Sequence, residues 1–93
     1  MNNKCARKIL IVDDEANNRL LLKSMVKQLG HESVTAQNGV EALKVLDRSF
    51  DLVLADVMMP EINGFEMVEI IRQEHEIQEI PVIMVTTLSE KED

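Results

Sequence analysis

The sequence contains no tryptophan and no tyrosine, and phenylalanine occurs only twice in 93 residues. Because hydrophobic residues still make up 45% of the chain, we expect a core built from aliphatic side chains. Long apolar runs are missing as well, since no segment approaches the ~18 apolar residues of a transmembrane helix. The opening residues, MNNKCARK, lack the apolar stretch of a secretory signal. We therefore expect no membrane partner.

Cysteine is also scarce, since Cys5 is the single example. One cysteine cannot form an internal disulfide, and this usage is typical of the reducing cytoplasm. Positive charge is outnumbered: 10 Lys and Arg stand against 17 Asp and Glu, for a formal net charge of -7. That balance argues against direct binding to nucleic acids or anionic membranes. The length is sufficient for one small domain.

Apolar runs alternate with helical patterns along the chain. The runs predict strands at 9–12, 33–36, 50–55 and 82–86, and the helical patterns predict helices at 17–29, 38–46, 65–71 and from 89 onward. The runs 9–12 and 82–85 lack polar alternation and are expected inside a sheet, whereas 33–36 alternates and is expected at an edge. Strands that alternate with helices predict an α/β fold, with a parallel sheet covered on both faces.

The predicted helices carry their apolar residues at defined positions. In the first helix these are Leu21, Leu22, Met25, Val26 and Leu29, and Gly30 closes the helix. In the third helix they are Phe65, Met67, Val68, Ile70 and Ile71. We expect these side chains to face the sheet.

Polar groups follow three of the predicted strands. Strand one ends in residues 13–15, which read Asp-Asp-Glu, strand three ends in Asp56, and strand four ends in Thr86 and Thr87. In a parallel α/β sheet, ligands bind outside the carboxyl ends of the strands. If these strands are neighbours, three carboxylates and two hydroxyls meet at one edge. Carboxylates packed together repel one another unless a cation offsets them, and hard oxygen ligands suit Mg²⁺.

The carboxylates are expected to have different roles. If Asp13 and Asp14 hold the metal, Asp56 is left to act as a nucleophile, and its attack on phosphorus would give an acyl phosphate. Thr86 could then donate a hydrogen bond to the phosphoryl group. The less specific alternatives are that Asp14 only caps the first helix and that Thr86 only satisfies backbone at a strand end.

Three motifs in order give the chain a family resemblance. They are ILIVDDE at 9–15, DVMMP at 56–60 with Asn63 and Gly64, and PVIMVT at 81–86. Together they resemble the response-regulator receiver domain. This resemblance implies a flavodoxin-like sheet of order 2-1-3-4, with Asp56 as the phosphoacceptor and Thr86 as the switch hydroxyl. It also implies that Mg²⁺ is bound by Asp13, Asp14, Asp56 and the main-chain carbonyl of Met58. Gly64 is expected to allow close approach of backbone beside the site.

The resemblance implies a two-component signalling protein rather than an enzyme with a separate substrate. Its partners would be a sensor histidine kinase or a phosphotransfer protein, and an output domain such as a diguanylate cyclase, a DNA-binding domain or a kinase. The pattern departs from the family at its end, because no strand ending in Lys-Pro, no switch aromatic and no last helix follow Asp93. We therefore expect residues 1–93 to form one receiver domain that is incomplete at its C-terminus. The exposed edge of strand four would favour a homodimer or marginal stability.

Two other functions remain open. Magnesium-dependent phosphatases also use an Asp nucleophile, but they carry a second Asp two residues later, where this chain has Met58. A degenerate receiver that acts only as a protein-interaction module is the other alternative, favoured by the missing Lys. His31 and His75 lack partners at ligand spacing and are expected at the surface.

Overall fold

The computed structural model describes residues 6–85 and shows alternating strands and helices. The elements are β1 (Lys8–Val12), α1 (Ala16–Gln28), β2 (Glu32–Ala36), α2 (Gly39–Val45), β3 (Leu52–Asp56), α3 (Gly64–Gln73) and β4 (Val82–Val85). Cys5, Thr86, Thr87 and the helix predicted from residue 89 lie outside the described residues. Within residues 6–85, every predicted strand and helix is present.

The four strands form one parallel sheet in the order β2-β1-β3-β4. This is the flavodoxin-like order that the family resemblance implies, and β2 lies at an edge as expected. β4 is the other edge of the part of the sheet that the structure describes, and its Ile83 is 51% exposed. The central strands β1 and β3 pair with Val12 opposite Ala55, so their carboxyl ends lie side by side.

One face of the sheet is covered by α2 and α3 over a continuous core. Its buried members are Leu10, Val12, Ala36, Ala42, Leu46, Phe50, Val53, Ala55, Met59, Met67, Ile71, Ile77 and Ile80. The core is almost entirely aliphatic, as the composition predicts. Ile77 and Ile80 follow the end of α3, and they extend this core through the turn that leads into β4. The core therefore extends from β2 to β4, where Val34 and Val82 pack against it and are partly buried.

The opposite face is covered by α1, and here the sequence prediction is partly wrong. Only Val26 of the expected apolar stripe is buried, and Leu22 is partly buried against Ile9 and Ile11. The other three predicted residues, Leu21, Met25 and Leu29, are 59%, 50% and 73% exposed. The helix lies mainly over β1 and β2. Among the described residues, no second helix packs beside it on this face, so one row of its side chains meets the sheet.

Two phenylalanines also depart from expectation. Phe50 was predicted to lie in strand three, but β3 begins at Leu52 and Phe50 is buried in the turn before it. Its ring contacts the ammonium of Lys8 at 4.4 Å from the ring centroid. Phe65 of α3 is 62% exposed, although its spacing predicts a core position. The spacing of apolar residues identifies the apolar face of a helix, but it does not show which residues at the border of that face are buried and which are exposed.

The helix ends have local causes. Asn38 caps α2, because its Oδ1 accepts a hydrogen bond of 2.8 Å from the Glu41 amide. Asn63 and Glu66 form a reciprocal capping box at the start of α3. Gly30, with φ of 87°, follows α1 as predicted. None of the helices within residues 6–85 has the length and apolar character needed to cross a membrane.

Candidate functional site

Three carboxylates meet at the carboxyl end of β1 and β3. Asp13 directly follows Val12, whose register partner is Ala55, and Asp56 is the last residue of β3. One oxygen from each of Asp13, Asp14 and Asp56 lies within 4.8 Å of the others. No other group of this kind occurs among the described residues. The parallel sheet thus brings together residues that are 42 positions apart in the printed sequence.

The cluster is largely shielded from water. Asp13 and Asp56 are 1% and 2% exposed, and Asp14 is partly exposed. They are the two buried charged side chains of the described core. Placing carboxylates close together at such burial is unfavourable unless hydrogen bonds or a cation compensate. The donor set, made of hard carboxylate oxygens, is the kind that Mg²⁺ prefers.

The turn that carries Asp13 and Asp14 is held by three hydrogen bonds to Asp13. Its amide donates to the carbonyl of Ala36 at 3.2 Å, which ties the turn to the end of β2. Its Oδ1 accepts from the amide of Glu15 at 2.9 Å, as in an Asx turn. Its carbonyl accepts from Nη1 of Arg19 at 2.7 Å. Asp13 is therefore anchored at its amide, its carbonyl and its side chain.

Asp14 lies one residue before the N-cap of the first helix. The N-cap residue of α1 is Glu15, and its side chain makes no capping hydrogen bond. The Glu15 carboxylate instead accepts a hydrogen bond of 3.0 Å from the side-chain amide of Asn18. The N-cap position that the sequence analysis allowed for Asp14 is therefore occupied by Glu15.

The loop after Asp56 is tightly turned. The Met58 amide donates to Oδ1 of Asp56 over a long 3.4 Å. Farther along, the Ile62 amide donates to the carbonyl of Pro60 at 2.8 Å, and Glu61 between them has φ of 70°. This combination is a γ-turn of the strained kind, which is rare for a residue with a side chain. Its presence shows that the loop is held in a specific path beside the acidic cluster.

Gly64 closes the same loop where α3 begins. A Cβ at this position would lie 2.7 Å from the Asp56 carbonyl oxygen and 2.8 Å from the sulfur of Met84. The Gly64 amide donates to the carbonyl of Val57 at 2.9 Å. The prediction that Gly64 allows close backbone approach is therefore confirmed, and the approach is to the backbone of Asp56 itself.

The remaining predicted site residues have separate outcomes. Met58 is 64% exposed beside the cluster, whereas its neighbour Met59 is buried in the core. Thr86 lies outside the described residues. His31 accepts a hydrogen bond of 3.0 Å from the Arg7 amide, and His75 is exposed. Neither histidine belongs to a candidate metal group within the described part of the chain.

Arg19 was missed by the sequence analysis. Its contact with Asp13 spans six residues and exists only because the turn at 13–15 directs a carbonyl back along α1. No spacing rule for helices predicts such a contact, since helix neighbours are three or four residues apart. The only signal of this contact in the sequence is the position of the arginine, which lies one turn into a helix that directly follows the acidic end of a strand.

Comparisons with known proteins all lead to one family. A family model described as the response regulator receiver domain matches residues 9–93. The probable transcriptional regulator ycf27 of Cyanidium caldarium is 44% identical over 89 residues, which are 95% of this chain and 34% of that protein. The chemotaxis protein CheY1 of Helicobacter pylori strain J99 is 41% identical over 83 residues, which are 86% of this chain and 67% of that protein. The chain spans about a third of the length of the ycf27 relatives.

Solved structures agree in fold and sequence. The response regulator TrrA from Thermotoga maritima, crystallised with Mg²⁺ and BeF, has a TM-score of 0.78 and is 41% identical, covering 89% of this chain and 71% of that one. The chemotaxis response regulator CheY4 of Vibrio cholerae has a TM-score of 0.79 at 32% identity, covering 95% of this chain and 75% of that one.

Proposed function

Because the chain belongs to the response regulator receiver family, we propose that Asp56 accepts a phosphoryl group from the phosphohistidine of a histidine kinase or phosphotransfer protein. The observation that carries this proposal is the cluster of three carboxylates within 4.8 Å at the end of β1 and β3. Two of them are nearly inaccessible to water, which is a poor arrangement for stability alone. Such a cluster of buried carboxylates is expected at a functional site that binds and transfers a charged group.

The residues present fit a bound Mg²⁺ ion. Asp13, Asp14 and Asp56 would supply carboxylate oxygens. By the family resemblance, Met58 would add its main-chain carbonyl. The structure of the related TrrA protein with Mg²⁺ and BeF supports this choice of metal. When bound, the ion supplies positive charge that offsets the carboxylates and the oxygens of the transferring phosphoryl group. Few protein ligands imply weak binding, in the millimolar range or above.

In the proposed reaction, the Asp56 side chain is the nucleophile. One of its carboxylate oxygens forms a bond to phosphorus while the phosphorus–nitrogen bond of the phosphohistidine breaks, and the electron pair of that bond returns to the imidazole. The product is an acyl phosphate on Asp56. The buried position of Asp56, 2% exposed, limits the access of water to this labile bond. The Gly64 amide, which donates to the carbonyl of Val57 at 2.9 Å, helps to fix the backbone directly after Asp56.

The proposed output is a conformational change rather than a released product. Thr86 would donate a hydrogen bond to the phosphoryl group and bias the surface around β4, as in other switches that respond to phosphate. The relatives include a probable transcriptional regulator and chemotaxis proteins. The output could therefore be an attached domain or a separate partner protein. A phosphatase is disfavoured, because the residue two positions after Asp56 is the exposed Met58 rather than an acid.

Labelling of the full-length protein tests the proposal. With Mg²⁺ and a radiolabelled phosphohistidine donor or acetyl phosphate, we expect an acid-stable adduct that hydroxylamine removes. The Asp56→Asn protein should take up no label, because its amide is not a nucleophile. In the Asp14→Ala protein, Mg²⁺ binding measured by calorimetry should be lost. Label that persists in the Asp56→Asn protein would identify another acceptor, and unchanged Mg²⁺ binding in Asp14→Ala would refute the metal site.

A further inference from the structure

We propose that Arg19 is a positioning residue for the acidic site and that it sets the affinity of the site for Mg²⁺. The inference rests on the proposed function, because it concerns the same carboxylates. Its starting point is the hydrogen bond of 2.7 Å from Nη1 of Arg19 to the carbonyl oxygen of Asp13. The bond is short, partly buried and carries a full charge on its donor, so it belongs to the stronger class of protein hydrogen bonds.

The bond acts on Asp14 through the planar peptide group. The carbonyl of Asp13 and the amide of Asp14 are parts of one rigid unit, so fixing the direction of that carbonyl fixes the plane on the N-terminal side of Asp14. On the other side, the Glu15 amide belongs to the next peptide plane, and it donates to Oδ1 of Asp13 at 2.9 Å. Both planes that flank Asp14 are therefore held. These two bonds constrain the direction in which the Asp14 side chain leaves the backbone.

Asp14 is the carboxylate for which this matters most. Asp13 and Asp56 are 1% and 2% exposed and are confined by packing, whereas Asp14 is partly exposed. Arg19 is itself tied to the turn, because its amide donates to the Glu15 carbonyl at 3.0 Å in the first turn of α1. The helix therefore serves as the fixed support, and the guanidinium reaches back across the turn to hold the residue before Asp14.

The charge of Arg19 would act in the opposite direction. A guanidinium on the Asp13 carbonyl brings positive charge near a cation site, and by simple repulsion it would weaken Mg²⁺ binding. Loss of the positioning contact weakens the site, whereas loss of the charge strengthens it. The sign of the change in affinity therefore separates the two effects. Residues that orient metal ligands typically change metal affinity by about 10–100-fold when they are replaced.

The test is Mg²⁺ titration by calorimetry on the full-length protein, with the Asp14→Ala protein as the background. For Arg19→Gln we expect about tenfold weaker binding, at the lower end of the range for such residues. The matched control is Lys23→Gln, which removes the same charge one turn further along α1 from an exposed side chain. This control should bind Mg²⁺ as tightly as the natural protein or slightly more tightly. Equal or tighter binding by Arg19→Gln would overturn the proposal.

Phosphorylation supplies a readout that a general loss of structure would not reproduce. Labelling of Asp56 is measured against Mg²⁺ concentration. Arg19→Gln should require about tenfold more Mg²⁺ for the half-maximal rate yet reach a rate near that of the natural protein at saturation. A lower plateau with an unchanged half-saturation point would show that Arg19 does not act through the metal site.

Two further outcomes keep the inference separate from the proposed function. If circular dichroism shows that Arg19→Gln is unfolded, Arg19→Met takes its place, since it keeps an unbranched side chain but has no donor for the Asp13 carbonyl. Mg²⁺ binding by Arg19→Met that is equal to or tighter than that of the natural protein would then overturn the proposal. If the natural protein binds no Mg²⁺ above the Asp14→Ala background, the proposed function and this inference fail together. Loss of binding in Asp14→Ala together with normal binding in the Arg19 variant refutes the role of Arg19 alone.

Discussion

Charged side chains are arranged in opposite ways at the two ends of the parallel sheet. At the carboxyl end, the like charges of Asp13, Asp14 and Asp56 lie within 4.8 Å, and two of the three residues are buried. At the amino end, opposite charges are paired in exposed positions. At the carboxyl end, the carboxylates repel one another where little water is present to screen their charges. At the amino end, the opposite charges attract one another at the surface, where water screens them. We infer that the amino end serves stability and that the carboxyl end serves function.

The amino end is a small network around the starts of β1 and β3. The carboxylate of Asp51 accepts a hydrogen bond of 2.9 Å from the Lys8 amide and lies 3.9 Å from the guanidinium of Arg7. The Asp51 amide donates in return to the Lys8 carbonyl at 2.8 Å. The Lys8 ammonium donates to the Ser49 hydroxyl at 2.8 Å. Each charge in this network has a partner of opposite sign or a polar neighbour.

The largest effect is expected from adding one methyl group at the carboxyl end. In Gly64→Ala the new Cβ would meet the Asp56 carbonyl oxygen at 2.7 Å, and backbone cannot move away as a side chain can. We expect a loss of about 1–3 kcal/mol in the free energy of unfolding, measured by urea titration.

The matched control for this change is Gly39→Ala. Both glycines are the first residue of a helix, so the gain in helix propensity is the same in each. At Gly39 the nearest atoms belong to Ile62 and lie 3.1 Å or more away. A smaller loss is expected there. Equal losses in the two variants would mean that the contact with Asp56 is not what limits residue 64.

A smaller effect, with opposite signs at the two ends, is expected from neutralising one carboxylate. Without Mg²⁺, Asp56→Asn should raise the free energy of unfolding by about 1 kcal/mol, because it removes repulsion among neighbouring carboxylates. Asp51→Asn should lower the free energy of unfolding by less than about 1 kcal/mol, because an exposed ion pair with Arg7 and a charge-assisted hydrogen bond are lost. Urea titrations with and without Mg²⁺ measure both. A destabilised Asp56→Asn protein in the absence of metal would break the comparison.

The smallest effect concerns pH at the amino end. Hydrogen bonds from the Ser49 hydroxyl and then the Ser49 amide hold the pKa of Asp47 below its usual value. A folded pKa below the ordinary value of 3.8 means that Asp47 stabilises the fold above that value. This contribution is lost as the pH falls through the folded value.

The pH effect is measured as the difference in unfolding free energy between the natural protein and Asp47→Asn. This difference should be constant near neutral pH and shrink below about pH 4. The Ser49→Ala protein, which keeps the amide donor but loses the hydroxyl, should show part of the same change. A difference that grows on acidification would contradict the lowered pKa.

The sequence predicted the elements and the acidic cluster because both depend on local pattern and chain order. Strands that alternate with helices imply a parallel sheet, and polar residues at strand ends then share one edge. The strand order came from family resemblance, since no local pattern specifies which strands are neighbours. The close approach at Gly64 was foreseen, but its partner, the backbone of Asp56, was not.

The misses arise where a contact depends on several elements at once. The exposure of Leu21, Met25 and Leu29 depends on what else covers the α1 face, which spacing within one helix does not reveal. The burial of Ile77 and Ile80 depends on a turn after α3 that folds back toward the core. The positive φ of Glu61 was unforeseen because glutamate rarely adopts that conformation. Tertiary context decides each of these cases.

The apolar pattern of β1 has a consequence for how its position is specified. All four residues from Ile9 to Val12 are aliphatic and at most 6% exposed, so both faces of the strand present similar chemistry. Sliding such a strand by one residue exchanges one aliphatic set for another, unlike in a strand with one polar face. The register of β1 is therefore specified by the charged residues at its two ends, Lys8 and Asp13. A single-residue insertion within β1 would leave the strand apolar enough for the hydrophobic core to form. It would nevertheless shift Asp13 out of register with Asp56.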